Sequence, residues 1–235
     1  MPDGFGYPRL LGVGLYTLTD AARLLHMPAA TVRRWLNGYT YADSSGQHHA
    51  APLWASEIAP ADGRPRGLSF RDLMELRIIH VLVDNGISLQ AIRRGLEIAR
   101  SEINENRPLS SARLKTDGVT WFLQVGQETS EPRLLDLVKR RGQYGFHGLI
   151  APSFRDVDFE GMEPARWWPM GHAAGVVLDP KQRFGSPIIA EYGVPTSALA
   201  LAASTEGSAA AAARYYEVPL KAVRNAVEFE RGLAA

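Results

Sequence analysis

The sequence predicts an α+β protein with a winged helix-turn-helix at the front, a small antiparallel β region in the middle and a helical domain with a leading hairpin at the end. Three observations carry this prediction. Two short helical stretches joined at "HMP" open the chain, within "YTLTDAARLLHMPAATVRRWL" (residues 16–36). Two longer apolar-striped stretches, "FRDLMELRIIHVLVDNG" and "LQAIRRGLEIAR", follow a segment rich in Gly, Pro, Ser and Asp. The residues from 176 onward then alternate helix starts and stops.

Taking the elements in order, Thr19 is the expected cap of a first helix through Asp20, Ala21, Ala22, Leu24 and Leu25. Pro28 breaks it, because proline disfavours helical geometry at Met27 and has no backbone N–H to donate. A second helix from about residue 29 to 36 stops at "NG". Helices that cross closely need a small residue on the first, a joint able to take positive φ, and an aliphatic plug. Ala22, His26 and Val32 fill those slots. The second helix is then shaped for a major groove, with Thr31, Arg33 and Arg34 available to bases or phosphates. Taken alone, the motif also fits a plain helical hairpin whose arginines are solvated.

Residues 37–68 read as a long loop or β-hairpin. Ser69 caps the next helix, with Leu73, Leu76, Ile79 and Val83 on one face, and Ser88 caps another with Leu89, Ile92, Leu96 and Ala99. Over residues 15–100 the motifs "YTLTDAARLL…ATVRRWL" and "LSFRDLMELRIIHVLVDNGISLQAIRRGLE" resemble the MerR-type winged helix-turn-helix. The resemblance implies DNA binding through the second helix and the wing, usually by dimers. It places Thr31, Val32 and Arg33 on the family's Thr-Leu-Arg, and Arg34 and Trp35 where aromatic residues are common. Pro28 stands where the family has a capping Ser or Thr. Together with Thr19, these make Thr31, Arg33, Arg34 and Trp35 candidate DNA contacts, and the long wing adds Arg64 and Arg66.

Beyond this region, residues 108–115 read as a linker. "GVTWFLQV" reads as a strand, "EPRLLDLVKRRGQ" as a short helix, and "YGFHGLIAP", "DVDFE", "ARWWPM" and "AGVVLDP" as further short strands. Asp156, Asp158 and Glu160 alternate along one of them, but no histidine lies at ligand spacing, so a solvated strand face is expected and no metal site. Trp167 and Trp168 read as one core and one surface aromatic, the exposed one being a candidate interface anchor.

The final segment predicts a hairpin over "FGSPIIAEYGVPT", a helix at about 196–205, a second capped by Ser208 and a third opened by Pro219. Tyr215, Tyr216, Val223 and Val227 are the expected buried stripe. This resembles a small antitoxin-type domain with a leading "FGxPxIxGTRIPV" element, matched at Phe184, Gly185, Pro187, Ile189 and Pro195, with Val194 for isoleucine. Glu191, Tyr192 and Gly193 replace the family's Gly-Thr-Arg. In relatives the element often pairs across a dimer, which implies dimerisation through Pro187, Ile188, Ile189, Val194 and Pro195. The resulting division is 1–107, 108–175 and 176–235.

Joined, the two ends resemble a VapB-type antitoxin of the long, two-domain kind. That resemblance implies binding to operator DNA of its own operon. It also implies sequestration of a PIN-domain ribonuclease toxin, VapC-like, as a homodimer or larger toxin–antitoxin assembly. A guanidinium that can pair with two carboxylates suits an acidic toxin pocket, which makes Arg231 and Arg9 candidate toxin contacts beside Trp167 and Trp168. The competing expectation is a MerR-like, effector-responsive regulator without a toxin partner, but residues 100–114 are too short and proline-interrupted for its dimerising coiled coil.

Composition narrows the rest. At 46% hydrophobic and 22% charged the chain has an ordinary globular balance, and no cysteine is present to form disulfides or thiolate sites. Net charge is +1, yet residues 1–115 hold 14 Lys/Arg against 11 Asp/Glu while the remainder holds 12 against 14. That asymmetry points weakly the same way as the motif. Neither a nucleophile–base set nor a phosphate-cradling glycine loop stands out, so no enzyme activity and no cofactor are expected. The absence of a membrane-length apolar run or a signal-like start makes the cytoplasm the expected location.

Overall fold

A computed structural model describes residues 12–58, 67–129 and 148–234. Helices α1 (Leu18–Leu24) and α2 (Ala29–Asn37) lead into an antiparallel hairpin of β1 (Tyr39–Asp43) and β2 (Gly46–Ala50), then α3 (Phe70–Asp84) and α4 (Leu89–Ile103). This is a helix-turn-helix with a wing. The cap of α1 is Thr17, not Thr19. Its Oγ1 accepts the Asp20 N–H at 3.0 Å, while its own N–H donates to Asp20 Oδ2 at 3.0 Å. The physical reason is reciprocity: a capping box needs an acid three residues on, and Thr19 would face Ala22 there. Ser69 and Ser88 cap α3 and α4 as expected.

The middle departs most from expectation. "GVTWFLQV" is not a strand; it lies within helix α5 (Leu114–Thr129). Trp121, Phe122 and Val125 are fully buried and recur at helical spacing. Phe122 sits so close to α4 that a Cβ at Gly95 would lie 3.0 Å from its ring. Aromatic and β-branched residues favour strands only where a sheet is present to receive them, and here a helix face does. Residues 148–155 form helix α6, which overturns the helical part of the expected strand "YGFHGLIAP"; residues 144–147 and the expected helix at 131–143 lie outside the described residues. Nor is 108–115 a free linker. Leu109, Ser110 and Ser111 are buried, and the N–H groups of Leu109 and Ser110 donate to Glu75 at 3.2 and 2.6 Å.

Two small sheets follow: β3 (Val157–Glu160) against β4 (Glu163–Trp167), and β5 (Val176–Val177), β6 (Ile188–Ile189) and β7 (Val194–Pro195) in that order. Helices α7 (Thr196–Thr205), α8 (Ala209–Tyr215) and α9 (Leu220–Ala234) close the chain, with Ser208 capping α8. The apolar stripe differs in one member, since Tyr215 is 74% exposed; Ala212, Val223, Ala226 and Phe229 fill the core. The alanines of α8 allow close approach to α9, which leaves no room for a tyrosine ring between them.

Front and back of the chain meet directly. Leu15 N–H donates to the Phe184 carbonyl at 2.8 Å, the Tyr16 hydroxyl to the Gly185 carbonyl at 2.9 Å, and Arg23 Nε to the Leu233 carbonyl at 3.2 Å. Gly185 has φ +83°, and any Cβ there would overlap the Tyr16 hydroxyl. Burial, and then Asp179 and Asp20, push the Tyr16 pKa upward, so the hydroxyl keeps its proton and remains a donor.

Under the wing lies a buried polar knot. Asp72 is fully buried and accepts from Arg107 Nε at 2.5 Å, Trp54 Nε1 at 2.8 Å, Ser56 Oγ at 3.2 Å and the Ser69 N–H at 3.1 Å. Because Arg107 is itself 2% exposed, removing either charge strands the other. Asp72→Ala is expected to cost about 3–5 kcal/mol in urea unfolding, with Arg107→Met recovering part of the loss in the double variant.

Glu75, one turn along α3, is also fully buried. Burial pushes its carboxyl up to about 7, against the opposing pull of the Ser110 and Leu109 N–H groups and of Arg107. A carboxyl with a folded value above its ordinary 4.5 holds its proton more tightly when folded. Its contribution to stability is therefore complete at low pH and lost as pH rises through about 7. Unfolding free energies measured from pH 5 to 8 should fall less steeply in Glu75→Gln than in the wild type.

Candidate nucleic-acid interface

The joint between α1 and α2 explains how the second helix is presented. His26 takes φ 51°, the left-handed conformation that lets the chain reverse in a few residues. Ala21 and Ala22 are buried at the helix crossing, and Val32 is fully buried beneath it. Along α2, Val32, Trp35 and Leu36 turn inward. Arg33 and Arg34 are exposed and Thr31 is partly so, and α2 carries no acidic residue. Pro28 precedes the helix without a side-chain cap, so its first N–H groups have no hydroxyl supplied by the chain at that position.

Of the residues predicted from sequence to touch DNA, Arg33 and Arg34 are exposed on the outer side of α2, and Thr31 lies partly exposed on the opposite flank from Arg33. Trp35 is corrected: it is 5% exposed, part of the core, and its carbonyl accepts the Leu53 N–H at 2.8 Å. Its indole is needed to hold α2 against the domain, because positions 32, 35 and 36 share one helical face. Thr19 is exposed in the first turn of α1, beside the cap and not at it. Arg64 and Arg66 lie outside the described residues.

The surface continues onto the wing through residues that the sequence reading passed over. The Arg34 guanidinium lies 4.0 Å from the Tyr39 ring centroid. Tyr39 neighbours Tyr41 at 5.7 Å, and Tyr41 stacks on His48 at 5.3 Å. In register, Tyr41 faces His48 across the hairpin, so these rings occupy one face of it. The clue was available as aromatic alternation in "YTY", but without the pairing register nothing placed those rings beside Arg34.

The other predicted contacts scatter. Trp167 is buried beneath Arg77, whose guanidinium lies 4.8 Å from its ring, so it is not a surface anchor. Trp168 is the outer one of the pair. It stacks on His172 at 4.7 Å and donates to Asp158 at 2.9 Å. Arg166 and His172 also reach Asp158, each at 3.0 Å, and together these contacts outweigh burial and hold its carboxyl below the usual range. Arg231 is exposed, lining with Arg224, Glu228 and Ala200 a groove of about 900 Å³ between α7 and α9. Arg9 lies outside the described residues. Ile188 and Ile189 are buried within their own protomer, whereas Pro187, Val194 and Pro195 are partly exposed.

Comparison with known proteins gives this arrangement a context. Residues 14–96 match the family described as "Putative DNA-binding HTH domain". The chain is also 28% identical over 194 residues to "Putative antitoxin VapB45" of Mycobacterium tuberculosis (strain ATCC 25618 / H37Rv), covering 77% of this chain and 79% of that protein. Over most of its length the chain is thus similar to a VapB-type antitoxin, and its N-terminal part is similar to a helix-turn-helix domain. The crystal structure of Rv2018 from Mycobacterium tuberculosis superposes with a TM-score of 0.69 at 26% identity, over 92% of this chain and 99% of that one. The likeness therefore includes the β region and the C-terminal helices as well as the reading head. No helix among the described residues is long and apolar enough to cross a membrane.

Since a histidine held at positive φ carries a conformational cost that glycine avoids, His26→Gly should leave the joint intact and raise stability by up to about 1 kcal/mol. Thermal unfolding checks this, and a β-branched residue at the same position should lower the midpoint.

Proposed function

We propose that this chain is an antitoxin that represses its own operon by binding operator DNA and neutralises a cognate PIN-domain ribonuclease toxin of the VapC-like class. The observation that carries the reading is α2, whose inner face locks into the core while Arg33 and Arg34 stand exposed on its outer face. A helix held in this way can enter a major groove, with Arg33 at a position suited to a base edge and Arg34 braced on the wing. Kinship along most of the chain with a VapB antitoxin supports the toxin-binding half.

Arg231, exposed beside Arg224 at the mouth of the α7–α9 groove, is the proposed toxin contact, with Trp168 as a second anchor. The Arg231 guanidinium is a group that an acidic, metal-dependent pocket would attract, while the Trp168 ring offers apolar contact. We assign dimerisation to the exposed side of Pro187, Val194 and Pro195 and the free edge of β7, since Ile188 and Ile189 are used inside the protomer. The protein would act in the cytoplasm, where operator and toxin are both present. The effector-responsive alternative is less well supported, because α5 spends its apolar face on α4 instead of presenting it to a second copy.

Arg33→Ala is expected to weaken binding to a duplex spanning the region upstream of the operon by roughly 1–3 kcal/mol in anisotropy titrations at fixed salt. Wild-type affinity should fall steeply with rising salt. Co-expression with the adjacent toxin should restore growth, and Arg231→Ala should restore it less well. Equal growth rescue by the two would remove Arg231 from the toxin interface, and a flat salt profile would remove the operator reading.

A further inference from the structure

The hairpin "YTYADSSGQHHA" contains no Lys or Arg, yet three arginines lie immediately beneath its root. Arg93, Arg100 and Arg107 recur every seven residues and meet the chain leaving β2 in order. Arg93 donates from Nη2 to the Ala51 carbonyl at 2.5 Å and from Nη1 to the Pro52 carbonyl at 3.1 Å. Arg100 donates to the Leu53 carbonyl at 3.1 Å, and Arg107 to the Ala55 carbonyl at 2.6 Å. Residues 51–56 belong to no strand, so these carbonyls have no ladder to satisfy them, and the guanidinium groups take its place.

The same segment is tied to the recognition helix. Leu53 N–H donates to the Trp35 carbonyl in the last turns of α2, and Gly38 follows that helix at φ +70°. A Cβ at Gly38 would lie 2.5 Å from the Ala50 carbonyl, so the two ends of the hairpin touch. The angle between α2 and the wing is thus fixed at Gly38 on one side and by the arginine ladder on the other.

We propose that Arg93 is a positioning residue for duplex recognition, acting on DNA through the wing and not by contacting phosphate. Resting on the operator-binding reading above, this adds that the aromatic face of Tyr39, Tyr41 and His48 is aimed by Arg93 from below. Both terminal nitrogens of Arg93 are already committed to its own chain. Arg100 and Arg107 complete the ladder from increasingly buried positions, which makes Arg93 the member that can be changed with least disturbance to the core.

The test is a comparison of wild type, Arg93→Ala, Arg93→Lys and Arg33→Ala on the upstream duplex across a salt series. It is repeated in a chain whose hairpin residues 41–48 are replaced by a tight turn. Arg93→Ala should weaken binding roughly tenfold with the salt slope unchanged, and Arg93→Lys, able to reach one carbonyl, should recover part. In the wing-shortened chain Arg93→Ala should cost nothing further, because its effect passes through the hairpin. A slope shallower by about one, or an equal loss without the wing, would make Arg93 a phosphate contact and overturn the proposal, as would unchanged affinity. Amide exchange reads the ladder without DNA: residues 39–50 should exchange faster in Arg93→Ala while α3 is unaffected, and unchanged wing exchange overturns the ladder. Absence of duplex binding by the wild type is a different result. It overturns the operator reading and the recognition role together, whatever the wing exchange shows.

Discussion

The Asp72 carboxylate is the constraint on which the reading head depends. It is buried, and it gathers an arginine, an indole, a hydroxyl and a backbone N–H around one point. Those donors come from three parts of the chain: the exit of the wing, which supplies both the indole and the hydroxyl, the start of α3 and the turn after α4. A charge removed from water has to be met by several donors at once, and in meeting it the chain brings those parts into a single arrangement. The same carboxylate also completes the Ser69 cap, so helix initiation and tertiary assembly are a single event at this position.

A second junction joins the reading head to the C-terminal unit. Tyr16 begins the helix-turn-helix and ends on the Gly185 carbonyl, in the "FGSP" element that leads into β6 of the C-terminal sheet. The glycine is needed twice there, for its positive φ and for the space the phenol occupies. Arg23 on α1 meets the end of α9, so the first and last helices of the described chain are in contact. An element that resembles a self-contained antitoxin domain is here partly a socket for the DNA-binding end. A partner gripping α7 to α9 would press on a body that already holds α1.

Much of this could be read from the residues. Caps at Ser69, Ser88 and Ser208, the stop at "NG" and the joint at His26 are local, because each depends on hydrogen bonds within a few residues. Arg33 and Arg34 could be placed outside because Val32 and Leu36 fix the inner face of a short helix. Trp35 shows where that reasoning stopped. Its place in a family pattern put it on the DNA side, while helical geometry with Val32 puts it in the core. Trp167 shows the same limit, since adjacent tryptophans on a strand must part to opposite sides, and only the packing of Arg77 reveals which one is inside.

The sequence by itself determined the two ends of the protein: a winged helix-turn-helix with exposed arginines on its second helix, and a hairpin followed by three helices. Those elements rest on short-range periodicity, caps and turns, which the chain specifies locally. Only the tertiary structure decided the middle and the joints. "GVTWFLQV" has the composition of a strand and becomes a helix because α4 offers it an apolar face. The arginines at 93, 100 and 107 look like solvated charges until a strandless segment with unsatisfied carbonyls is laid across them. Long-range partners carry no mark at their own positions, so the energy that fixes them appears only when the chain is folded.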